Sequence, residues 1–240
     1  MNQQNSLFGF TTQQEQASLA RTFLAGVFGW MTLAMAITAF TAWSFASNIE
    51  LLGLLFKPTG GLNLLGWIVM FAPFGFVLLI NFGFQRLSAL TLSILFGIYS
   101  VLMGMSLSFI FVAYSLPSIA KTFVITAGMF GTMAVMGYTT KADLSRFGSI
   151  LIMALVGLII ASLVNMFMRS GTIDYIISFA GVVIFTGLTA WDVQKLKRIG
   201  SEAGINGEMA KKVTILGALT LYLDFVNLFL FLLRFFGNRK

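Results

Sequence analysis

Seven long apolar runs, separated by short polar linkers, dominate the pattern of hydrophobic and polar positions along the chain. Each run is close to the ~20 residues that an α-helix needs to cross the hydrocarbon core of a bilayer. Because the linkers are short, residues 21–240 are expected to form a single all-α domain, a polytopic membrane protein built as a seven-transmembrane-helix bundle. The predicted helices lie at Thr22–Phe45, Leu64–Phe84, Ser88–Tyr114, Thr122–Tyr138, Ile150–Met168, Tyr175–Trp191 and Val213–Phe236.

The segment before the first run, MNQQNSLFGFTTQQEQASLA, is mainly polar. It lacks the basic start of a secretory signal peptide, and the first apolar run is too long to be the core of one. We therefore expect residues 1–20 to form a polar cytoplasmic segment. The first apolar run should then remain in the protein as a membrane helix.

Composition agrees with a membrane protein and excludes several kinds of site. The chain is 58% hydrophobic and only 10% charged, whereas soluble domains carry about 25% charged residues. Its formal net charge of +7 does not indicate nucleic-acid binding, because the basic residues lie between apolar runs rather than along one stripe. The absence of cysteine and histidine excludes disulfides, thiolate metal sites, cysteine nucleophiles and a histidine proton switch.

The distribution of Lys and Arg predicts the orientation in the membrane. With the N-terminus inside, the cytoplasmic segments hold nine basic residues: Arg21, Arg86, Lys141, Arg146, Lys195, Lys197, Arg198, Lys211 and Lys212. The opposite side holds six: Lys57, Lys121, Arg169, Arg234, Arg239 and Lys240. The excess comes largely from the Lys195–Lys212 linker, and it predicts a cytoplasmic N-terminus and an external C-terminus.

Two helices carry stripes of small residues at three- and four-residue steps. The stripe in the third helix is Ser93, Gly97, Ser100, Gly104 and Ser108, and the stripe in the fifth is Gly157, Ala161 and Asn165. Small residues let helix backbones approach closely in lipid, where packing drives association. These stripes predict a compact bundle rather than an activity.

The last apolar run carries a carboxylate at its centre. A central Asp costs about 3 kcal/mol on the membrane-insertion scale, so Asp224 should face the bundle interior, a water-filled cavity or a partner. Gly217, Thr220, Asp224 and Asn227 follow steps of three, four and three, which places them on one helix face. A functional role is the default at this depth, and a purely structural, hydrogen-bonded Asp is the alternative.

Two further charges lie near the predicted cytoplasmic boundary. Asp192 ends the sixth apolar run, where it can join a site, pair with Lys195 or meet water. At 1.5 Å per residue, Asp224 lies roughly 18 Å in from Lys212, whereas Asp192 lies only ~5 Å in from Lys195. This difference in depth counts against contact between the two aspartates. Arg86 is either a boundary anchor or the counter-ion of buried aspartates.

Three segments together resemble the Bax inhibitor-1 (transmembrane BAX inhibitor motif) family. LYLDFVNLFLFLLRFFGNRK is similar to the C-terminal signature of its bacterial members. YTTKADLSRFGSIL resembles the segment between the family's fourth and fifth helices, and GLTAWDVQKLKRI resembles the end of its sixth helix, with Trp191 where Tyr is usual. The resemblance covers essentially the whole chain after about residue 20.

This resemblance implies a seven-helix bundle of the bacterial inner membrane that lets calcium leak down its gradient. It also implies that Asp192 and Asp224 form a pH sensor and that Arg86 is the latch of the closed state. Two close carboxylates do not both ionise cheaply, so they titrate as a coupled unit. With Thr220 and Asn227 the aspartates supply fewer than the 6–8 oxygens that calcium takes. Calcium is therefore expected to bind weakly as the permeating ion, and no cofactor is expected.

Other functions stay open at this point. A regulatory protein that binds a membrane protease or another membrane partner without conducting ions is the main alternative. A proton-coupled transporter is disfavoured, because we find no internal repeat and no matching pair of broken helices. An enzyme is also not expected, since no metal-ligand cluster, P-loop or nucleophile elbow is present. A hydrolase that uses paired aspartates within the membrane is not tested by the sequence.

Overall fold

The computed structural model describes residues 13–57, 61–201 and 207–238. Within these ranges the chain forms eight helices: α1 (Gln13–Ser47), α2 (Ile49–Gly53), α3 (Leu64–Gly83), α4 (Ala89–Ala113), α5 (Leu116–Thr139), α6 (Ser145–Met168), α7 (Gly171–Ser201) and α8 (Gly207–Phe236). All of them except the short α2 are long and apolar enough to cross a membrane. The predicted all-α fold with seven membrane-crossing helices is confirmed.

Several helices extend beyond the apolar runs that predicted them. α1 begins at Gln13 rather than Thr22, so the last part of the expected polar segment is helical, and residues 1–12 lie outside the described residues. The expected Lys195–Lys212 linker is mostly helix, because α7 continues to Ser201 and α8 begins at Gly207. Apolar length reports the thickness of the hydrocarbon core, whereas Lys, Arg, Gln and Glu continue a helix readily beyond it.

The two C-terminal helices form the centre of the bundle. In their most apolar stretches, 61% of α7 and 67% of α8 is buried, compared with 17–28% for the other membrane-crossing helices. α8 packs against α1, α4, α5 and α7, while α7 also contacts α1, α5 and α6. α3 lies at the periphery against α4, and α6 lies at the periphery against α7.

Close glycine contacts set the register between α7 and α8. A Cβ on Gly217 would lie 2.7 Å from Cδ2 of Leu196, and a Cβ on Gly181 would run into the ring of Phe231. The two helices are therefore antiparallel, with the C-terminal third of α7 opposite the N-terminal half of α8. This register brings Lys212 level with Ser201 and places the first turn of α8 beyond the end of α7.

The small-residue stripe of α4 lies at a helix interface, as predicted. Ser100, Gly104 and Ser108 are buried, and a Cβ on Gly104 would lie 2.6 Å from the carbonyl oxygen of Thr38 in α1. The packing prediction is wrong for Gly157 in α6, which is exposed and whose Cβ position has no atom within 4 Å. Spacing alone does not distinguish a packed face from a lipid-facing one.

Candidate functional site: a buried carboxyl pair

Asp192 of α7 and Asp224 of α8 are in direct contact. Their side chains are hydrogen-bonded to each other, and the two residues are only 7% and 5% exposed. A hydrogen bond between two carboxyl groups requires a proton on one of them, because an ionised carboxylate only accepts. The site is thus a closely paired set of two acids in a largely buried position between the two central helices.

The predicted difference in depth between the two aspartates is wrong, because Lys195 and Lys212 do not mark the ends of their helices. Lys195 is an internal residue of α7, which continues for about two more turns. Measured from the level shared by Ser201 and Lys212, the two aspartates differ by three residues, or roughly 4.5 Å along the helices. Two facing side chains span a difference of that size.

One oxygen of the pair is fully buried and makes no hydrogen bond outside the pair. Oδ2 of Asp224 is buried and has no hydrogen-bond partner among the described residues. An unsatisfied buried acceptor costs about 1–3 kcal/mol, and such groups in a native structure call for a functional or structural reason.

The predicted supporting residues share the helix face of Asp224, but they bond to their own helix. The hydroxyl of Thr220 donates to the Leu216 carbonyl oxygen at 3.0 Å, and Nδ2 of Asn227 donates to the Leu223 carbonyl oxygen at 2.8 Å. Such bonds are the usual way for a short polar side chain to be accommodated inside a helix. Neither donor is therefore brought to the carboxyl pair.

Arg86 lies apart from the pair. It is exposed in the connection between α3 and α4, where its backbone N–H donates to the Gly83 carbonyl oxygen at 2.9 Å. Across the described ranges the ion pairs are Arg198–Asp143 and Arg234–Asp174, so Arg86 forms none there. α4 separates the peripheral α3 from α8, which explains the separation of Arg86 from the aspartates.

Lys195 is the cation that acts on Asp192 among the described residues. It lies one turn after Asp192 and interacts with the carboxyl group electrostatically. Its Nζ is 5.1 Å from the centre of the Trp191 ring, in cation–π geometry. Asp192 therefore interacts electrostatically with Lys195, while the carboxyl group of Asp192 is buried and hydrogen-bonded to Asp224.

The donor set does not fit a resident metal ion. Within the part of the chain that the structure describes, no group of three or more acidic, His or Cys side chains could hold one. Calcium takes 6–8 oxygen ligands, and the pair offers the oxygens of two carboxyl groups. These residues suit a proton or a passing cation better than a tight calcium site.

Sequence reasoning missed the polar face of α7 opposite Asp192. The Gln194 side chain accepts a hydrogen bond from the Leu144 N–H at 2.8 Å and donates to the Ala142 carbonyl oxygen at 2.7 Å. Lys197 donates to the Tyr138 carbonyl oxygen at 2.7 Å. The three-residue step between Gln194 and Lys197 was the available signal, since it places both on one face.

Sequence reasoning also missed a buried polar cluster between α1, α4 and α8. The hydroxyl of Tyr222 lies 2.7 Å from that of Thr38, which donates to the Ser100 carbonyl oxygen at 2.9 Å. The Tyr99 and Tyr222 ring centres are 5.6 Å apart. The Tyr99 hydroxyl is buried without a hydrogen bond to any described residue. Aromatic residues are common in these runs, so sequence offered no distinct signal for this cluster.

Fold and site together define the class of the protein. It is a polytopic α-helical membrane protein with two buried, closely paired aspartates between its two most buried helices. The family model described as "Inhibitor of apoptosis-promoting Bax1" matches residues 20–240. The chain therefore belongs to the Bax inhibitor-1 family, as its C-terminal segments predicted.

Relatives from three bacteria match along nearly their whole length. "Inner membrane protein YbhL" of Escherichia coli K12 is 48% identical over 228 residues, which cover 95% of each chain. An uncharacterised protein of Rickettsia prowazekii is 45% identical over 220 residues, covering 92% of this chain and 91% of the relative. An uncharacterised protein of Borreliella burgdorferi is 42% identical over 234 residues, covering 98% and 99%. None of these names, nor the family description, refers to an enzymatic activity.

Proposed function

We propose that this protein is a pH-sensitive calcium leak channel in which Asp192 and Asp224 are the proton sensor. The observation that carries the proposal is the contact between these two buried carboxyl groups. With one proton, the pair is a hydrogen bond that joins α7 to α8. Without it, two negative charges face each other and repel. Protonation thereby changes the force between the two central helices.

Calcium enters this proposal as the permeating ion. The deprotonated pair attracts a cation, and Oδ2 of Asp224 is a buried oxygen to which no group outside the pair donates a hydrogen bond within the described residues. Few protein ligands mean weak binding, which suits conduction because an ion must leave a site as well as enter it. The Thr220 and Asn227 side chains donate hydrogen bonds to backbone carbonyl oxygens of α8, and the proposal does not require them to coordinate calcium.

Arg86 is proposed as the latch on the strength of the family resemblance. In the present arrangement it is exposed, so latching requires α3 and its connection to α4 to move toward α7 and α8. The peripheral position of α3, which packs mainly against α4, is compatible with such a movement. Arg86→Gln should then alter the maximal flux.

The bacterial inner membrane is the proposed location, with the N-terminus in the cytoplasm. One relative carries that membrane in its name, and the excess of Lys and Arg lies on the side of the α1 N-terminus. A reporter enzyme that is active only outside the cytoplasm should be active when fused after residue 240. The same reporter should be inactive when it is fused after residue 142. The reverse result would overturn the orientation.

Flux through the purified protein tests the function itself. The protein is reconstituted into liposomes that contain a calcium dye, and calcium entry is followed from about pH 5 to pH 8. We expect entry that exceeds that of protein-free liposomes and changes with pH. No flux under any of these conditions, together with a stoichiometric protein partner recovered from native membranes, would favour the regulatory alternative.

A further inference from the structure

The C-terminal part of α7 presents two different faces to its surroundings. An α-helix turns by about 100° per residue, so Gln194 and Lys197 lie roughly opposite Asp192. Asp192 and Leu196 contact α8. Gln194 and Lys197 contact the end of α5 and the α5–α6 connection. One rigid helix thus carries both the acid pair and a separate set of polar contacts.

These polar contacts form a clamp, defined here as the side chains of Gln194 and Lys197 with the backbone groups that they bind. The Gln194 side chain accepts a hydrogen bond from the Leu144 N–H at 2.8 Å, and it donates one to the Ala142 carbonyl oxygen at 2.7 Å. Lys197 donates to the Tyr138 carbonyl oxygen at 2.7 Å, and its Nζ lies 4.8 Å from the centre of the Tyr138 ring. Both side chains are half-buried.

Two of the three backbone groups held by the clamp belong to helix ends, and the third, the Ala142 carbonyl, lies in the connection between them. Tyr138 is in the last turn of α5, and Leu144 immediately precedes α6. Carbonyl groups at the end of a helix and N–H groups at its start have no partner within the helix. Gln194 and Lys197 supply those partners from α7, and a two-point amide contact fixes the rotation of α7 about its own axis.

Fixing one face of a helix fixes the opposite face. α5 also approaches α7 closely on the clamp side, where a Cβ on Gly137 would overlap the Ala190 carbonyl oxygen. With α7 fastened to α5 and to the α5–α6 connection, Asp192 is aimed at α8. The clamp is therefore suited to set the distance between the carboxyl groups of Asp192 and Asp224.

We propose that Gln194 is a positioning residue for the acid pair, which holds Asp192 against Asp224 by fastening the opposite face of α7 to the α5–α6 connection. The geometric part of this proposal concerns only the distance between the side chains of Asp192 and Asp224. The functional part, an effect of Gln194 on the pH response of calcium flux, rests on the proposed function. The two parts are tested by different measurements.

The geometric part is tested by disulfide formation. The chain has no cysteine, so the double variant Asp192→Cys, Asp224→Cys contains the only two thiols. Its oxidative cross-linking in membranes is compared with and without Gln194→Ala. We expect Gln194→Ala to slow cross-linking roughly fivefold or more, because two hydrogen bonds are lost.

Two further variants separate positioning from a general loss of structure. Gln194→Glu keeps an acceptor for the Leu144 N–H but loses the donor to the Ala142 carbonyl oxygen, so it should cross-link at an intermediate rate. Gln85→Ala removes an exposed glutamine at the same end of the molecule and should cross-link at the full rate. Equal rates for Gln194→Ala and Gln85→Ala would overturn the proposal.

The functional part is tested in liposomes with Asp192 and Asp224 intact. Gln194→Ala should shift the pH midpoint of calcium flux, whereas Gln85→Ala should keep the midpoint of the unaltered protein. If the unaltered protein conducts no calcium but Gln194→Ala slows cross-linking, the proposed function fails and the positioning role stands. If flux responds to pH and cross-linking is unchanged by Gln194→Ala, the positioning role fails alone.

Discussion

At the scale of single residues, hydrogen-bond partners distinguish side chains that look alike in the sequence. Tyr99 and Tyr222 are both fully buried and pack edge to face. The Tyr222 hydroxyl is hydrogen-bonded to Thr38, whereas the Tyr99 hydroxyl has no partner in the described ranges. A buried hydroxyl stabilises the fold only when it is hydrogen-bonded. The two tyrosines should therefore respond differently to the same substitution.

Tyr222→Phe should lower the free energy of unfolding by about 1 kcal/mol, because it removes one buried hydrogen bond. Tyr99→Phe removes a hydroxyl that makes no such bond, so the free energy of unfolding should be unchanged or higher. Thermal unfolding of the purified protein in detergent measures both variants. A larger loss for Tyr99→Phe than for Tyr222→Phe would contradict the hydrogen-bond assignment.

Asp143, in the connection between α5 and α6, provides a carboxyl group outside the membrane-crossing helices. Hydrogen bonds from the side chain and the backbone N–H of Ser145, followed by the interaction with Arg198, lower its pKa to about 2. A lowered folded-state pKa stabilises the fold above the unfolded-state pKa near 3.9. That contribution is lost as the pH falls toward about 2.

Asp143 should consequently remain ionised throughout the range in which flux is measured. We expect Asp143→Asn to leave the pH midpoint of calcium flux unchanged between about pH 5 and pH 8. Flux in liposomes checks this directly. A displaced midpoint in Asp143→Asn would show that the pH response does not belong to the buried pair alone.

At the scale of helices, some features were readable from sequence and others were not. The stripe through Gly104 predicted the α1–α4 contact, because close backbone approach requires small residues. The similar stripe through Gly157 predicted a contact at this glycine wrongly, since α6 lies at the periphery and leaves Gly157 exposed. Nor did apolar length give the ends of α7 and α8, because polar residues extend both helices past the hydrocarbon core.

Two glycines of α5 test the helix packing. A Cβ on Gly137 would overlap the Ala190 carbonyl oxygen, whereas the Cβ position of Gly131 has no atom within 4 Å. Gly137→Ala should lower the free energy of unfolding by about 1–3 kcal/mol, the usual range for overpacking. Gly131→Ala should be neutral or stabilising, since Ala favours helix over Gly. Thermal unfolding compares them, and equal effects would contradict the α5–α7 contact.

At the scale of the whole molecule, the sequence predicted the class and the family but not the geometry of the site. Length and hydropathy predicted seven membrane-crossing helices, and the C-terminal segments predicted the family, because both are local properties. The contact of Asp192 with Asp224 depends on the register of α7 against α8. That register is set by packing at positions such as Gly217, which no single helix reveals.

The position of Arg86 illustrates the same limit. Its place in the sequence made it a candidate counter-ion, but whether it reaches the pair depends on how α3 packs. In this structure α3 contacts α4, and the cation that acts on Asp192 is Lys195. The clamp of Gln194 and Lys197 was not predicted for a related reason. Its partners are backbone groups at the end of α5 and in the α5–α6 connection, which are far from α7 in the sequence.

The central claim is that the acid pair senses pH, and the asparagine variants test it most directly. Asn keeps a neutral, hydrogen-bonding side chain of similar size but does not titrate, so Asp192→Asn and Asp224→Asn imitate a permanently neutral carboxyl group. Asp174→Asn, at the opposite end of α7, is the matched control, since Asp174 pairs with Arg234 at 3.3 Å.

The decisive measurement is therefore calcium flux into liposomes against pH for the unaltered protein and these three variants. The account predicts that Asp192→Asn and Asp224→Asn abolish the change of flux with pH, while Asp174→Asn retains it. If Asp192→Asn and Asp224→Asn both keep the flux and the pH dependence of the unaltered protein, the buried pair is not the sensor.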